Sequence, residues 1–512
     1  MPDAPAPPPI PAESLPSVEV DSTVSQVQVV MRRLVHGSAL YALANFGIRA
    51  MNFLLIPLYT RYLAPADYGT ISLAETCAAV LAAFAGLGMD AGVQRFYFQY
   101  VAEPVRLARY VSTVLRFGMA FAAVLVGLVF LAGPGVLHWV APQFAVPFYP
   151  YIALAVGTAA LVQLVQTRLN LYQTEGRPRA YGLLSLALFL MTAAGAIALV
   201  VFLRRGAAGM LEGKLLAAAV AAVVATALLL RWLFTGWEWG FVRETLRMSL
   251  PLVPHNLMAL GLVVADRFIL QRYRDLTEVG IYSLAYTFGM VMFLASNSIF
   301  QAWSPIFYDQ ARQGDEGRRI LGRLSSGLAV LLAAIAGVGI LIAHDAVRVL
   351  DPRYAAVGGL IPWIVAGYLL HGWFGLFQVA VLQSRRTEYV LLTSVLAFAA
   401  NIGLNLWLIP IYGAYGAAYA TLAAYALEAL VMYLCAQKVF ALPWRSGRLL
   451  AALAVVGGAL AVAAVKWPAA YRPLVMAAAL AAALLLLWQL GGKEIREDLR
   501  LMWKDRGTRP SR

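Results

Sequence analysis

Residues 61–76, RYLAPADYGTISLAET, recur without a gap 211 positions later as RYRDLTEVGIYSLAYT at 272–287. Arg61/Arg272, Tyr62/Tyr273, Gly69/Gly280, Ser72/Ser283, Leu73/Leu284, Ala74/Ala285 and Thr76/Thr287 are identical, and Asp67/Glu278 keeps a carboxylate. Chance gives roughly one match in such a window at ordinary residue frequencies. The same offset pairs Asn45 with Asn256, and Phe96, Tyr97 and Gln99 with Phe307, Tyr308 and Gln310. Weaker echoes follow, Gln173-Thr174 with Gln383-Ser384 and Gly206-Ala-Ala-Gly209 with Gly413-Ala-Tyr-Gly416. A chain that carries one unit twice is constrained to fold it twice, into two homologous lobes.

Those lobes belong in a membrane. With 61% hydrophobic and 13% charged residues and a mean hydropathy of +0.73, the charged fraction is about half that of a soluble domain. Apolar stretches long enough to cross ~30 Å of hydrocarbon, about 20 residues each, follow one another from residue 37 almost to 491. They predict an all-α polytopic protein with about fourteen spans. We expect a disordered cytoplasmic tail over 1–36, an N-lobe of six spans over 37–235, a C-lobe of six over 245–440, an appended pair over 447–491 and a basic cytoplasmic tail over 492–512. Six spans, an even number, separate the start of one copy from the start of the next, so both copies enter the bilayer from the same face. Parallel repeats of this kind place a cavity between lobes that can open to either side by rocking, the architecture of a transporter.

The net charge of +14 suggests nucleic acid until its distribution is followed along the chain. If the N-terminus is cytoplasmic, inward loops and the C-terminal tail hold 26 Lys and Arg and outward loops hold 9. That asymmetry is the positive-inside pattern, with both termini cytoplasmic and no nucleic-acid partner required. The segment 1–30, rich in Pro, Ala and Ser, lacks the basic-then-apolar order of a secretory signal. Cys77 and Cys435 lie within predicted spans, without the spacing of a metal site or disulfide framework.

Charges inside spans carry the functional content. Arg49 sits near the middle of the first span, where an arginine costs roughly 2.5–3.5 kcal/mol on insertion scales. Asn45, Arg49 and Asn52 share one helical face, which would line a wet cavity; alternatively an Arg49–Glu75 ion pair simply joins the first two spans. Glu75 is a counter-ion or a protonation site. In the second lobe His255 and Asp266 share a face of the seventh span with Asn256 nearby, and Asp266-Arg267 near its outer end is either a coupling site or a solvated interfacial pair. Arg116, Arg168, Lys214 and Glu428 complete the set. Arg116 and Arg168 would make an inward-facing cavity cationic, suited to an anionic ligand such as a diphosphate-linked lipid. Tyr282, Tyr286, Trp373 and Tyr425 would stack on sugar rings or pack in the core.

Several chemistries lack their residues. Gly209-Met-Leu-Glu-Gly213-Lys214 is one residue short of a phosphate loop, the five histidines show no metal spacing, and no long outward loop carries catalytic carboxylates. We expect no enzyme, no metal and no cofactor.

In combination, the opening span with Asn45-Phe46-x-x-Arg49, Ile56-Pro57-Leu58-Tyr59-Thr60-Arg61-Tyr62-Leu63, Asp67-Tyr68-Gly69, Ala265-Asp266-Arg267-Phe268-Ile269-Leu270 and Glu278-Val279-Gly280-Ile281-Tyr282-Ser283 resemble the oligosaccharide flippases for lipid-linked glycans. These belong to the superfamily that also holds lipid II flippases and multidrug extruders. The resemblance implies a V-shaped pair of six-helix bundles with two additional helices. It also implies alternating-access export of an undecaprenyl-diphosphate-linked repeat unit to the outer leaflet of the cytoplasmic membrane, for O-antigen, capsule or exopolysaccharide. In that family basic cavity residues hold the diphosphate; Arg49 best matches this role, and Arg116 and Arg168 match it less closely. The first-span aspartate typical of one class of drug extruders is missing here, which lowers the alternative of a cation-coupled multidrug or small-solute antiporter. A membrane glycan polymerase or ligase is the remaining alternative. Membrane lipids and other polysaccharide-assembly membrane proteins are the expected partners.

Overall fold

The computed structural model describes residues 47–486 apart from 88, 251, 466, 469, 470 and 484. The predicted tails over 1–36 and 492–512, the start of the first span with Asn45, and the end of the last span lie outside the described residues. Helices follow one another in the order α1 (residues 47–62), α2 (Pro65–Gly86), α3 (Met89–Tyr100), α4 (Pro104–Val140), α5 (Ala153–Thr174), α6 (Pro178–Ile197), α7 (Gly206–Leu233) and α8 (Trp239–Ser249). Then come α9 (Leu252–Tyr273), α10 (Leu276–Gln310), α11 (Gly314–Ala346), α12 (Val357–Gln383), α13 (Thr387–Tyr412), α14 (Ala414–Val439), α15 (Ser446–Ala464) and α16 (Arg472–Ala483).

Among the described residues ten helical stretches are long and apolar enough to cross a membrane. One of them, Leu276–Val349, contains both α10 and α11. The protein is therefore an all-helical, multi-pass membrane protein, and the expected fourteen crossings compare with these ten. The second predicted span, 68–91, ends sooner than expected. α2 stops at Gly86, Leu87 takes φ +47°, and a separate short helix, α3, follows.

Two compact units divide the chain. The first comprises Met1–Tyr62 and Ala74–Asn256, the second Leu63–Leu73 and Leu257–Arg512. In the first unit α5, α6 and α7 pack through Val165, Leu169, Tyr172, Tyr181, Leu184 and a seam of Ala221, Ala222 and Ala225. A second core of Phe96, Tyr100, Tyr110 and Phe241 joins α3, α4 and α8. In the second unit α12 is the central helix. Its most apolar window has a mean hydropathy of 1.5 and is 78% buried, whereas the window of α4 reaches 2.4 with 11% buried. Lipid is as apolar as any side chain, so a helix as greasy as α4 can lie outermost, and the buried α12 is rich in small and polar-tipped residues that pack closely.

The duplication is visible as geometry. Gly206, which opens α7, and Gly413, just before α14, take φ +57° and +58°, the left-handed conformation that glycine adopts without a Cβ clash. Asp67 and Glu278 are both third residues of their helices, and each meets a helix N-terminus. Asp67 Oδ2 accepts from its own Ala64 N–H at 2.8 Å, while Glu278 Oε1 reaches out to the Ala414 N–H that opens α14, at 2.6 Å. The place left free on α10 is taken by Asp275, which caps the Glu278 N–H at 2.9 Å. The repeats also touch at their own equivalent residues within the second unit: Ser72 Oγ donates to Ser283 Oγ at 2.8 Å. A Cβ on Gly69 would lie 2.9 Å from the Leu276 carbonyl carbon, and one on Gly280 would lie 2.8 Å from that of Pro65. Close by, in the connector before α12, the Tyr354 hydroxyl donates to the Leu63 carbonyl at 3.0 Å, and burial holds that phenol above its ordinary range, as a donor.

Candidate functional site

Arg49 lies in the first described turn of α1. Arg49 and Asn52 are exposed, and Asn52 Nδ2 donates to the Ile48 carbonyl at 3.1 Å. Seven residues make almost two turns, so Ile56 falls within about 20° of Arg49 around the helix. Ile56 and Tyr59, on that face, are buried at 6% and 8% exposure, while Leu54 on the opposite face is 74% exposed. The arginine thus stands on the protein-facing side of α1, at a level where that side is open. Among the described residues no carboxylate pairs with it.

Glu75 is not its partner. The Glu75 carboxylate accepts from Lys214 of α7, 139 residues away in sequence, so the alternative of an Arg49–Glu75 pair has no counterpart in the structure. Arg168 is 2% exposed, binds Glu175 Oε1 at 3.1 Å and lies 3.7 Å from the Tyr172 ring centroid. Arg116 donates to the carbonyls of Gly236 and, at 3.4 Å, Ser112, with the Trp237 ring 5.2 Å away. Both guanidinium groups are engaged within the protein.

In the second unit Asp266 is fully buried. Its Oδ1 accepts from the Arg267 N–H at 2.8 Å and from Arg267 Nη1 at 3.2 Å, and Oδ2 accepts from the Tyr282 hydroxyl. Arg267 also donates to the Val263 carbonyl and sits 4.7 Å from the Tyr286 ring centroid. From Tyr286 the aromatic contacts continue to Tyr368 (5.5 Å), Tyr425 (5.9 Å) and His371 (4.8 Å), whose Nδ1 is 2.9 Å from Glu428 Oε2. A continuous polar and aromatic chain therefore runs from the carboxylate on α9 to the carboxylate on α14. Tyr282, Tyr286, Tyr425 and Trp373 are all buried in it or beside it, Trp373 donating to the Ala329 carbonyl at 3.1 Å. Asn256 is exposed on α9; His255 lies on the same helix, its side chain outside the described residues.

His371, Asn401, Asn405 and Thr421 join the polar groups of the second unit without having stood out as candidates in the sequence. Asn405 Nδ2 donates to Asn401 Oδ1 at 2.9 Å, leaving Asn401 Nδ2, Asn405 Oδ1 and Thr421 Oγ1 buried without partners, atoms that bound water or a small ligand would satisfy. The available signal was an Asn pair four residues apart in an otherwise apolar helix.

A family profile described as polysaccharide biosynthesis protein matches residues 34–310, more than half of the chain. The chain is 25% identical over 378 residues to the lipid III flippase of Escherichia coli K12, covering 70% of this chain and 88% of the relative. It is 23% identical over 289 residues to the Lsg locus putative protein 1 of Haemophilus influenzae, covering 54% of this chain and 66% of that one. The fold is similar to that of the lipid II flippase MurJ in an inward closed conformation, at 11% identity and a TM-score of 0.64 over 88% of this chain and 99% of that one. It is also similar to an inward-facing multidrug resistance transporter of the MATE family, at 12% identity and a TM-score of 0.60 over 81% and 99%. Duplicated repeats, membrane-crossing helices and the match over both the first lobe and the start of the second agree: the chain belongs to the polysaccharide biosynthesis protein family.

Proposed function

We propose that this protein is a flippase that moves undecaprenyl-diphosphate-linked oligosaccharide repeat units from the inner to the outer leaflet of the bacterial cytoplasmic membrane by alternating access, with both termini inside. Family membership supports a role in polysaccharide assembly, and the likeness to a relative named lipid III flippase supports a lipid as cargo. The observation that carries the proposal is Arg49, a cation on the protein side of α1, exposed and without a carboxylate partner among the described residues. An unpaired guanidinium at membrane depth costs several kcal/mol unless an anion compensates it, and a diphosphate offers bidentate hydrogen bonds of the right geometry. Asn45 and Asn52 on the same face would hold sugar or phosphate oxygens. Arg116 and Arg168 add positive potential without direct contact, because both are held by protein groups.

Movement against a gradient needs a driving ion or field, and the buried carboxylates Asp266 and Glu428 are the groups we assign to coupling, with Asn256 and His255 at the open end of α9. Glu75, bound by Lys214, joins helices in the first unit. The fold is shared with a multidrug transporter, which defines the competing outcome of the test. Polyprenyl-linked glycans would be measured by mass spectrometry in a deletion strain complemented with the intact chain or with Arg49→Ala. Complete repeat units accumulating in the deletion and Arg49→Ala strains, and cleared by the intact chain, are expected. Normal lipid-linked pools and intact surface polysaccharide, with altered drug resistance, would overturn the proposal in favour of an antiporter.

A further inference from the structure

Transport leaves unused a basic and aromatic cluster around α8. The connector that precedes it is fastened to α4: Ser112 Oγ donates to the carbonyls of Leu233 (2.9 Å) and Gly236 (3.1 Å), Thr235 Oγ1 to that of Ala108 (2.7 Å), and the Glu238 N–H to Thr113 Oγ1 (3.1 Å). Residues 234–238 span at most about 17 Å when extended, and these bonds tie them down further. α8 therefore stays at the membrane level where α7 ends. Phe241, Val242, Thr245 and Ser249 face the protein. The opposite stripe of Trp239, Arg243, Leu246, Arg247 and Leu250 lines an open groove of about 960 Å³, with Trp239 65% and Leu250 51% exposed.

The charge of the surroundings is lopsided. Arg95 reaches Met248 Sδ at 3.8 Å, the Arg109 side chain lies against Gly236, and Arg116 binds the Gly236 carbonyl. Of the nearby carboxylates, all three exposed, Glu103 is shared with Arg106 at 3.5 Å, Glu244 accepts from the Tyr100 hydroxyl at 3.2 Å and Glu238 precedes the helix, against the six arginines Arg95, Arg106, Arg109, Arg116, Arg243 and Arg247. Arg243 and Arg247 have no carboxylate partner among the described residues. Trp237 and Trp239 stand perpendicular at 5.1 Å, the residue type that settles at the boundary between head groups and acyl chains. A stripe mixing tryptophan and leucine with arginine one turn apart suits a lipid surface, since a soluble polyanion would leave the apolar half in water.

We infer that α8 is an interfacial helix that docks an anionic phospholipid, its phosphate between Arg243 and Arg247 and its glycerol and first methylenes against Trp239 and Leu250. Each arginine near an anionic surface contributes roughly fivefold in binding, so the pair is worth roughly 30-fold.

The test uses the full chain in nanodiscs containing a photo-crosslinking phosphatidylglycerol, with a phosphatidylcholine of the same acyl chains as control and peptides mapped by mass spectrometry. The phosphatidylglycerol probe is expected to label the peptide holding residues 239–250 at least tenfold more than the control. Arg243→Gln/Arg247→Gln should abolish that preference without changing the melting temperature or labelling on α4 around Val136–Val140. Unlabelled phosphatidylglycerol should compete, and inorganic phosphate should not. Equal labelling by both probes, labelling unaffected by the double substitution, or displacement by inorganic phosphate would each overturn the assignment. The predicted outcome does not depend on which glycan, or which other cargo, the protein carries.

Discussion

The Asp266–Arg267 pair permits a double-mutant cycle whose size follows from its surroundings. At 3.2 Å two unit charges attract by about 5 kcal/mol at an effective dielectric constant of 20, most of it spent on desolvating both groups. Asp266→Asn keeps an oxygen for the Tyr282 hydroxyl but leaves the guanidinium buried and uncompensated, a loss of about 3–5 kcal/mol. The Val263 carbonyl and the Tyr286 face 4.7 Å away retain part of that, up to about 2 kcal/mol for the ring, so about 3 kcal/mol is the expected net cost. At about 2–4 °C per kcal/mol for a unit of this size, the melting temperature of the purified protein in detergent, followed by tryptophan fluorescence, falls by about 10 °C. Arg267→Gln falls by a similar amount because it strands the carboxylate. The double variant removes both charges together and recovers at least half of the summed loss. Single variants that melt within about 2 °C of the parent, or a double variant that is simply additive, would refute the claim that each charge is buried against the other.

Three further outcomes follow from other contacts. In a background with Cys77 and Cys435 replaced by alanine, Ser72→Cys/Ser283→Cys is expected to form a disulfide readily on mild oxidation, since the hydroxyl oxygens are 2.8 Å apart. Adding Gly280→Ala should cut the yield severalfold, as overpacking at a close backbone crossing costs about 1–3 kcal/mol; an unchanged yield would contradict the contact. Gly413→Ala combines a positive φ with a Cβ placed 2.9 Å from Glu278 Cδ, and a fall in melting temperature of about 5 °C or more is expected. Arg168→Met takes from the buried Glu175 its 3.1 Å partner and leaves the more exposed Arg177 beside it at 3.5 Å. A fall of about 5–10 °C is predicted, whereas an arginine whose role is to hold cargo would leave the melting temperature where it is.

The duplication, the membrane class and the intramembrane charges are legible in the sequence because each is a one-dimensional signal: an offset, a hydropathy run, a charge within it. The partners of those charges are not, because partnership is set by packing. Glu75, about two turns into the second span, is at a depth compatible with Arg49 yet meets Lys214, far along the chain. Asp266-Arg267 looks like an end-of-helix pair by position, and only the approach of Tyr282 and Tyr286 from α10 makes it buried. The early end of α2 falls in the sequence Gly86-Leu87-Gly88, with Leu87 at positive φ; the two glycines are a break signal that the unbroken hydropathy run masks. His371 was overlooked because a lone histidine in an apolar run carries no spacing signal until Glu428 is placed beside it.

The crossing of Gly69 and Gly280 is isologous: Gly69 faces the carbonyl of Leu276, Gly280 faces that of Pro65, and those two residues are themselves one repeat offset apart. Surfaces of this kind are the ones identical subunits use to form twofold dimers. A polypeptide holding a single repeat would thus already possess both sides of the contact and could pair with a second copy of itself. Joining two such chains end to end would add a covalent tether to an association that needed no new residues.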